Sequence, residues 1–149
     1  MEKIIGKIKI NNEDTVDITD PCYSKDTWCR INGVKLLDGE YLCKKFYSEF
    51  NGDELPTSLE LINANYTSEF NWETLGEIEI DAGLVGFFVN KPDFSDNEWR
   101  EFVGSLWKEK YQFCWVDEDK KWFWRDRGDG SCVVQYAKDE NGNIIGLKI

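Results

Sequence analysis

The segment Asp20-Pro21-Cys22-Tyr23 contains the residue types of a reactive cysteine. A thiol near the amino terminus of a helical turn has a lowered pKa and acts as a nucleophile. In the structural interpretation, Asp20 instead caps a short helical turn over residues 21–28, and Cys22 packs inside. The chain has no histidine to serve as a general base. This favours the structural interpretation.

Two glycine-rich segments have the composition of phosphate or Ca²⁺ sites, namely 81–86 (DAGLVG) and 126–131 (DRGDGS). A phosphate-binding loop lies between a strand and a helix, whereas β-type sequence follows residues 81–86. The spacing in 126–131 is not that of an EF-hand loop. We interpret both segments as turns between strands.

Aromatic residues cluster in the carboxyl third of the chain. The seven tryptophans are many for 149 residues. Trp122 and Trp124 share one face of a predicted strand, near Trp115, Tyr111 and Phe113. Aromatic rings on one sheet face stack on a base, a sugar or a cationic group, although such residues more often belong to a core. We expect one or two of these tryptophans to line a pocket.

The composition excludes several classes of function. The chain carries 18 basic and 29 acidic residues, for a net charge of −11. This charge repels phosphate backbones and anionic membranes, so neither is an expected partner. It suits a basic protein partner, a cation or simple solubility. The absence of histidine excludes Ser-His-Asp triads, Cys-His dyads and His-ligated zinc.

The cysteines and the first residues bear on the cell compartment. The five cysteines include no CxxC pair, so we expect reduced, buried thiols and neither a metal site nor a cofactor. Residues 1–10 lack the apolar region of a signal peptide, and no apolar run approaches the ~18 residues of a membrane span. The protein is therefore predicted to be cytoplasmic.

Hydrophobic periodicity predicts many strands and one helix. Ser95 and Glu98 form a capping box, and an apolar stripe follows at helical spacing, which predicts an amphipathic helix over residues 96–109. The predicted strands are 3–10, 15–19, 40–47, 58–67, 76–81, 83–89, 111–116, 121–125, 131–138 and 144–149. This order predicts a single β-rich α+β domain over 1–149, built as an antiparallel sheet, a sandwich or a partly open barrel.

Three sequence signatures lie in order along the chain: ITDPCY, IEIDAGLVGFF, and GDGSCVV followed by GNIIGLKI. Together they resemble a family of small uncharacterised bacterial and phage proteins with D-P-C-Y, V-D-[SA]-G-x-x-G and G-D-G-S motifs. The matching residues here are Asp20, Pro21, Cys22, Tyr23, Asp81, Gly83, Gly86, Gly128, Asp129, Gly130, Ser131 and Val134. The resemblance bears on fold and compartment and implies no activity. Cys132 stands where the family has an aromatic residue.

The resemblance also suggests that Asp20, Asp81 and Asp129 converge in space. Three converging carboxylates hold Mg²⁺ or Ca²⁺, or they cap neighbouring turns through backbone N–H groups. The second interpretation is favoured.

The leading hypothesis is a soluble intracellular, non-catalytic binding module for a protein partner or a small ligand. The resemblance suggests a phage or mobile-element setting in which the protein acts on a host component. The alternatives are a metal-dependent hydrolase, with Asp20, Asp81 and Asp129 as ligands and Cys22 or Ser131 nearby, and a structural domain. The candidate ligand-binding residues are Asp20, Cys22, Tyr23, Asp81, Trp122, Trp124, Asp129 and Ser131.

Overall fold

Alternating apolar and polar residues fold most of this chain into β-strands. The computed structural model describes residues 1–66, 70–108 and 110–149. The elements in these ranges are β1 (Glu2–Ile10), β2 (Val16–Thr19), β3 (Ile31–Val34), β4 (Gly39–Phe50), β5 (Asp53–Asn63), β6 (Glu73–Ile80), β7 (Leu84–Val89), α1 (Asp96–Ser105), β8 (Cys114–Asp117), β9 (Trp122–Asp126), β10 (Gly130–Lys138) and β11 (Ile144–Lys148).

The strands form two antiparallel sheets that are not closed into a barrel. The six-stranded sheet has the order β1-β4-β5-β11-β10-β6, and the five-stranded sheet has the order β3-β2-β7-β9-β8. The predicted β-rich antiparallel fold with one helix is thus confirmed for the described residues. Of the architectures considered, the sandwich is the one that the structure adopts.

One hydrophobic core lies between the two sheets. The strands of both sheets alternate, so that every second side chain points into this core and the others point outward. The largest fully buried apolar side chains in the core are Tyr41, Phe87, Phe123, Ile8, Ile10, Ile18, Leu59, Leu61, Ile78 and Leu147.

Helix α1 covers the outer face of the five-stranded sheet. The Ser95 side chain accepts a hydrogen bond from the Glu98 N–H, and the Glu98 side chain accepts one from the Ser95 N–H, so the predicted capping box is confirmed. The helix ends at Ser105, and the buried Leu106 side chain packs in the aromatic cluster beneath the helix. The predicted last residue, 109, lies outside the described residues.

Three local predictions differ from the structure. Residues 21–28 form successive turns instead of a helical turn, although Asp20 does cap the first of them by accepting a hydrogen bond from the Cys22 N–H. The short strand β3 was not predicted. Strand β5 begins at Asp53, because the tight turn at Asn51-Gly52, with φ of 50° and 83°, pairs it with β4. It ends at Asn63, and the predicted end at 67 lies outside the described residues.

Within the described ranges, no helix has the length and apolar character needed to span a bilayer.

Gly86 allows β7 and β9 to approach each other closely. A Cβ atom at Gly86 would lie 2.3 Å from the Phe123 carbonyl oxygen and 2.4 Å from the Trp124 Cβ. We predict that Gly86→Ala lowers the free energy of unfolding by about 3 kcal/mol or more, because neither contact is able to relax without moving backbone. Urea denaturation monitored by tryptophan fluorescence measures this.

Gly104 provides the matched control, since a Cβ atom there meets nothing within 4 Å. Gly104→Ala is expected to stabilise the protein by about 0.5–1 kcal/mol through helix propensity. Equal effects of the two substitutions would contradict the steric explanation.

Candidate functional site

Asp20 is fully buried and holds the backbone of two loops. Its Oδ1 accepts a hydrogen bond from the Cys22 N–H at 3.1 Å, and its Oδ2 accepts hydrogen bonds from the N–H groups of Asp81 and Ala82 at 3.0 and 2.6 Å. All three donors are backbone groups, so the carboxylate acts as a cap for both loops.

The three segments that carry the family resemblance meet at one end of the sandwich. Asp20 binds the segment that follows β6, as described above. In that segment the Gly83 carbonyl accepts hydrogen bonds from the N–H groups of Arg127 and Gly128, at 2.7 and 3.1 Å. These are backbone contacts, and they bring the loops together without directing their carboxylates at a common point.

The carboxylates of Asp81 and Asp129 belong to exposed residues. In the ranges that the structure describes, no group of three or more His, Cys, Asp or Glu side chains is arranged to hold a metal ion. The geometry therefore fits the capping interpretation for Asp20, whereas the carboxylates of Asp81 and Asp129 accept no hydrogen bond from the described residues.

The other candidates in this region have ordinary structural contacts. Burial, together with the neighbouring Asp20 carboxylate, raises the pKa of the Cys22 thiol to about 12, so this thiol is protonated at neutral pH. Burial also raises the pKa of Tyr23. The Ser131 hydroxyl donates a hydrogen bond to Glu79 Oε1 at 2.7 Å.

Trp122 and Trp124 lie beneath α1 in a second hydrophobic cluster. Both side chains are buried, and Phe88 and Phe102 pack against them with ring centroids 5.3–6.2 Å apart. The Trp122 indole N–H donates to the Val89 carbonyl at 3.3 Å. These tryptophans are core residues of the helix–sheet interface, because α1 covers the sheet face that they share.

The outer face of the six-stranded sheet carries a different aromatic feature, which we call the aromatic groove. It is a cavity of about 570 Å³ on strands β1, β4 and β5, bordered by Ala64 and Tyr66 after β5 and by Phe70 and Trp72 before β6. It is lined by Ile4, Leu42, Lys44, Phe46, Glu60, Ile62, Ala64, Tyr66, Phe70 and Trp72. Apolar residues on an outward face indicate a binding surface when no element of the fold covers them completely.

Gly146 positions the aromatic wall of the groove. A Cβ atom there would lie 3.0 Å from Trp72 Cη2 and 3.6 Å from Ile62 Cγ2, so the absence of a side chain lets the indole lie close to the sheet. The Phe70 ring lies 5.5 Å from the Trp72 ring, centroid to centroid, at 32°. The sheet thus holds two aromatic rings side by side at the groove.

Two lysines of the same face are engaged by aromatic rings. The Lys44 ammonium lies 5.6 Å from the Phe46 ring centroid and 3.6 Å from Glu2 Oε2. The Lys148 ammonium lies 5.7 Å from the Trp72 ring and 6.0 Å from the Phe46 ring. Cation–π attraction thus draws both positive charges toward the rings.

Glu60 lies between these two lysines on neighbouring strands. In the strand register it is opposite Lys44 on β4 and opposite Lys148 on β11. It is only 6% exposed. Among the described residues, its carboxylate makes no hydrogen bond and no ion pair within 4.0 Å. Burial raises the pKa of Glu60, and the attraction of Lys148 and Lys44 only partly offsets this. Within the described ranges, the fully buried side-chain atoms that lack a hydrogen-bond partner are Asn63 Nδ2 and Trp124 Nε1, so the Glu60 oxygens are not fully enclosed. The Glu60 carboxylate instead faces the groove, where a ligand is able to reach it.

A second cleft differs from the aromatic groove because its charged side chains are already paired. It has a volume of about 450 Å³ and lies between β1 and residues 110–116. Its lysines are already paired: Lys3 and Lys45 with Glu54, and Lys110 with Asp53 at 3.5 Å. Paired charges leave little polar capacity for a ligand, so the aromatic groove is the stronger candidate.

The sequence did contain a signal for the groove. In β4, Tyr41 and Cys43 face the core, while Leu42 and Phe46 face outward. A strand that is apolar on both faces has a second partner, which is another element or a ligand. The groove residues were missed because this signal does not say which of the two it is.

No protein-family model, no curated protein and no solved structure matches this chain. The assignment of function therefore rests on the geometry of the site.

We predict that Asp20→Ala lowers the free energy of unfolding by about 3 kcal/mol or more, because three backbone N–H groups lose their acceptor. The exposed Asp129 is the control, and Asp129→Ala is expected to change this free energy by less than about 0.5 kcal/mol. Urea denaturation measures both values.

A metal site would give a different pattern. If Asp20, Asp81 and Asp129 bound Mg²⁺ or Ca²⁺, either ion would raise the unfolding temperature relative to EDTA, and Asp129→Ala would abolish that increase. This result would contradict the capping role of Asp20.

We predict that Glu60→Gln stabilises the protein at pH 7 by about 1 kcal/mol, since glutamine removes a buried charge. The native pKa of Glu60 lies above its unfolded value, so wild-type stability falls as the pH rises from the unfolded pKa to the native pKa. The stabilisation by Glu60→Gln is therefore present at pH values above the native pKa, and it disappears when the pH is below the ordinary pKa of glutamate.

Denaturation of both proteins between pH 3.5 and pH 8 measures the effect. Glu77→Gln, at an exposed position on β6, is the matched control and is expected to leave stability unchanged. A loss of stability in Glu60→Gln at pH 7 would show that the carboxylate has a structural partner.

Proposed function

We propose that this protein is a non-catalytic binding module whose aromatic groove binds a neutral saccharide. The observation that carries the proposal is the Glu60 carboxylate, which lines an aromatic groove and makes no hydrogen bond or ion pair with the described residues. A ligand with hydroxyl groups supplies the hydrogen-bond donors that this carboxylate lacks.

The charges of the groove select against ionic ligands. An anionic ligand is repelled by Glu60. A cationic ligand finds the Phe46 and Trp72 rings already occupied by the ammonium groups of Lys44 and Lys148. A neutral ligand meets neither penalty, and the lysine N–H groups still donate to its hydroxyl oxygens.

The shape of the groove supports a ring-shaped ligand. The C–H face of a sugar ring carries a partial positive charge and stacks on the negative face of an aromatic ring. Phe70 presents such a ring at the groove, and Trp72 lies beside it. A volume of about 570 Å³ lies within the usual range for small-molecule sites, which favours a small ligand over a protein partner.

The proposal is non-catalytic because glycoside hydrolysis uses two carboxyl groups on opposite sides of the bond. Glu60 is the one acidic residue among the described residues that line the groove. The cytoplasmic location and the phage or mobile-element setting remain predictions from the sequence.

We predict that the protein binds at least one neutral oligosaccharide built from glucose, mannose, galactose or N-acetylglucosamine. Isothermal titration calorimetry against this panel measures binding. Trp72→Ala and Phe70→Ala are each expected to weaken the affinity about tenfold or more, through loss of stacking and buried area. Glu60→Gln is expected to weaken it as well, although it stabilises the fold.

Trp28 provides the matched control, since it is 87% exposed and lies outside the groove. Trp28→Ala is expected to leave saccharide affinity unchanged. Failure of every saccharide in the panel to bind would overturn the proposal, as would an affinity that Trp72→Ala, Phe70→Ala and Glu60→Gln all leave intact. Hydrolysis of a bound saccharide would overturn its non-catalytic part.

A further inference from the structure

A second cavity adjoins the aromatic groove. Its volume is about 310 Å³, and it shares Tyr66 and Phe70 with the groove. Its remaining lining residues belong to the chain after Phe70 and to the β10–β11 hairpin, namely Asn71, Lys138, Asp139, Glu140 and Ile145. The two cavities therefore adjoin one another at these two aromatic side chains.

The junction between the cavities is held in place by the hairpin. The Tyr66 hydroxyl donates a hydrogen bond to Asp139 Oδ2 at 3.2 Å. Asp139 also accepts hydrogen bonds from the backbone N–H groups of Asn141 and Asn143, both at 2.9 Å. The carboxylate that orients Tyr66 is thus itself fixed by the turn, and the ring is preorganised between the two cavities.

The second cavity keeps polar groups available for a ligand. Asn71, Lys138 and Glu140 are exposed, and their side chains make no hydrogen bond and no ion pair with the described residues. Together they offer N–H donors and carbonyl or carboxylate acceptors. This is the same combination of donors and acceptors beside an aromatic ring that characterises the groove, so both cavities suit units of the same chemistry.

We propose that the groove and the second cavity together bind one linear oligosaccharide, with consecutive sugar units on the two sides of Tyr66 and Phe70. This inference rests on the proposed function, and it adds the length of the ligand and the direction in which it extends. Groups beyond the first cavity are expected to add binding energy only when the ligand is long enough to reach Lys138 and Asn71.

The test is a chain-length series of the oligosaccharide that binds in the panel, from the monosaccharide to the hexasaccharide, measured by isothermal titration calorimetry. We expect the affinity to rise at least tenfold along the series and then to remain constant. Asn71→Ala and Lys138→Ala are expected to remove most of this rise while leaving the affinity of the shortest binding ligand unchanged.

Lys120→Ala is the control, because Lys120 lines neither of these two cavities. Equal affinity for short and long ligands would overturn the inference while leaving the proposed function intact. The same conclusion follows if the affinity rises with length but neither Asn71→Ala nor Lys138→Ala reduces the rise. Absence of binding by every saccharide of the panel would overturn the proposed function itself, and this inference with it.

Discussion

The buried carboxylate of Asp20 is the interaction on which the arrangement of the two sheets depends. The loop between β6 and β7 connects the six-stranded sheet to the five-stranded sheet, and Asp20 accepts hydrogen bonds from the N–H groups of Asp81 and Ala82 in this loop. The loop between β9 and β10 connects the sheets in the opposite direction, and two of its N–H groups donate to the Gly83 carbonyl. One end of the sandwich is thereby closed by hydrogen bonds between loops, and the core behind it is shielded from water.

Both sheets carry apolar residues on their outer as well as their inner faces, and the protein covers the two outer faces differently. On the five-stranded sheet, α1 places Phe102 and Leu106 over Trp122 and Trp124 and completes a second core. On the six-stranded sheet, Trp72 lies against Gly146, and no element of the described residues covers the groove. The same kind of surface is a core in one place and a candidate binding site in the other.

The groove also shows how polar groups gain a functional role through their surroundings. Lys44, Glu60 and Lys148 form a row across three neighbouring strands, which in isolation is a favourable pattern of alternating charge. The two ammonium groups lie close to aromatic rings, and the carboxylate makes no hydrogen bond or ion pair with the described residues. A ligand that supplies hydrogen-bond donors therefore meets an acceptor that no described side chain uses.

The sequence by itself determined the features that depend on neighbouring residues. Ser95 and Glu98 predicted the start of α1, and period-two alternation predicted most strands, because caps and alternation act over a few residues. Asn51-Gly52 carried an equally local hairpin signal that was overlooked.

Only the tertiary structure decided the order of the strands and which element covers each outer face. It placed β11 between β5 and β10, covered Trp122 and Trp124, and left Glu60 in the open groove. These outcomes depend on contacts between residues far apart in the chain. Alternation shows that a strand has two faces, but the element that packs on each face is selected by the whole fold.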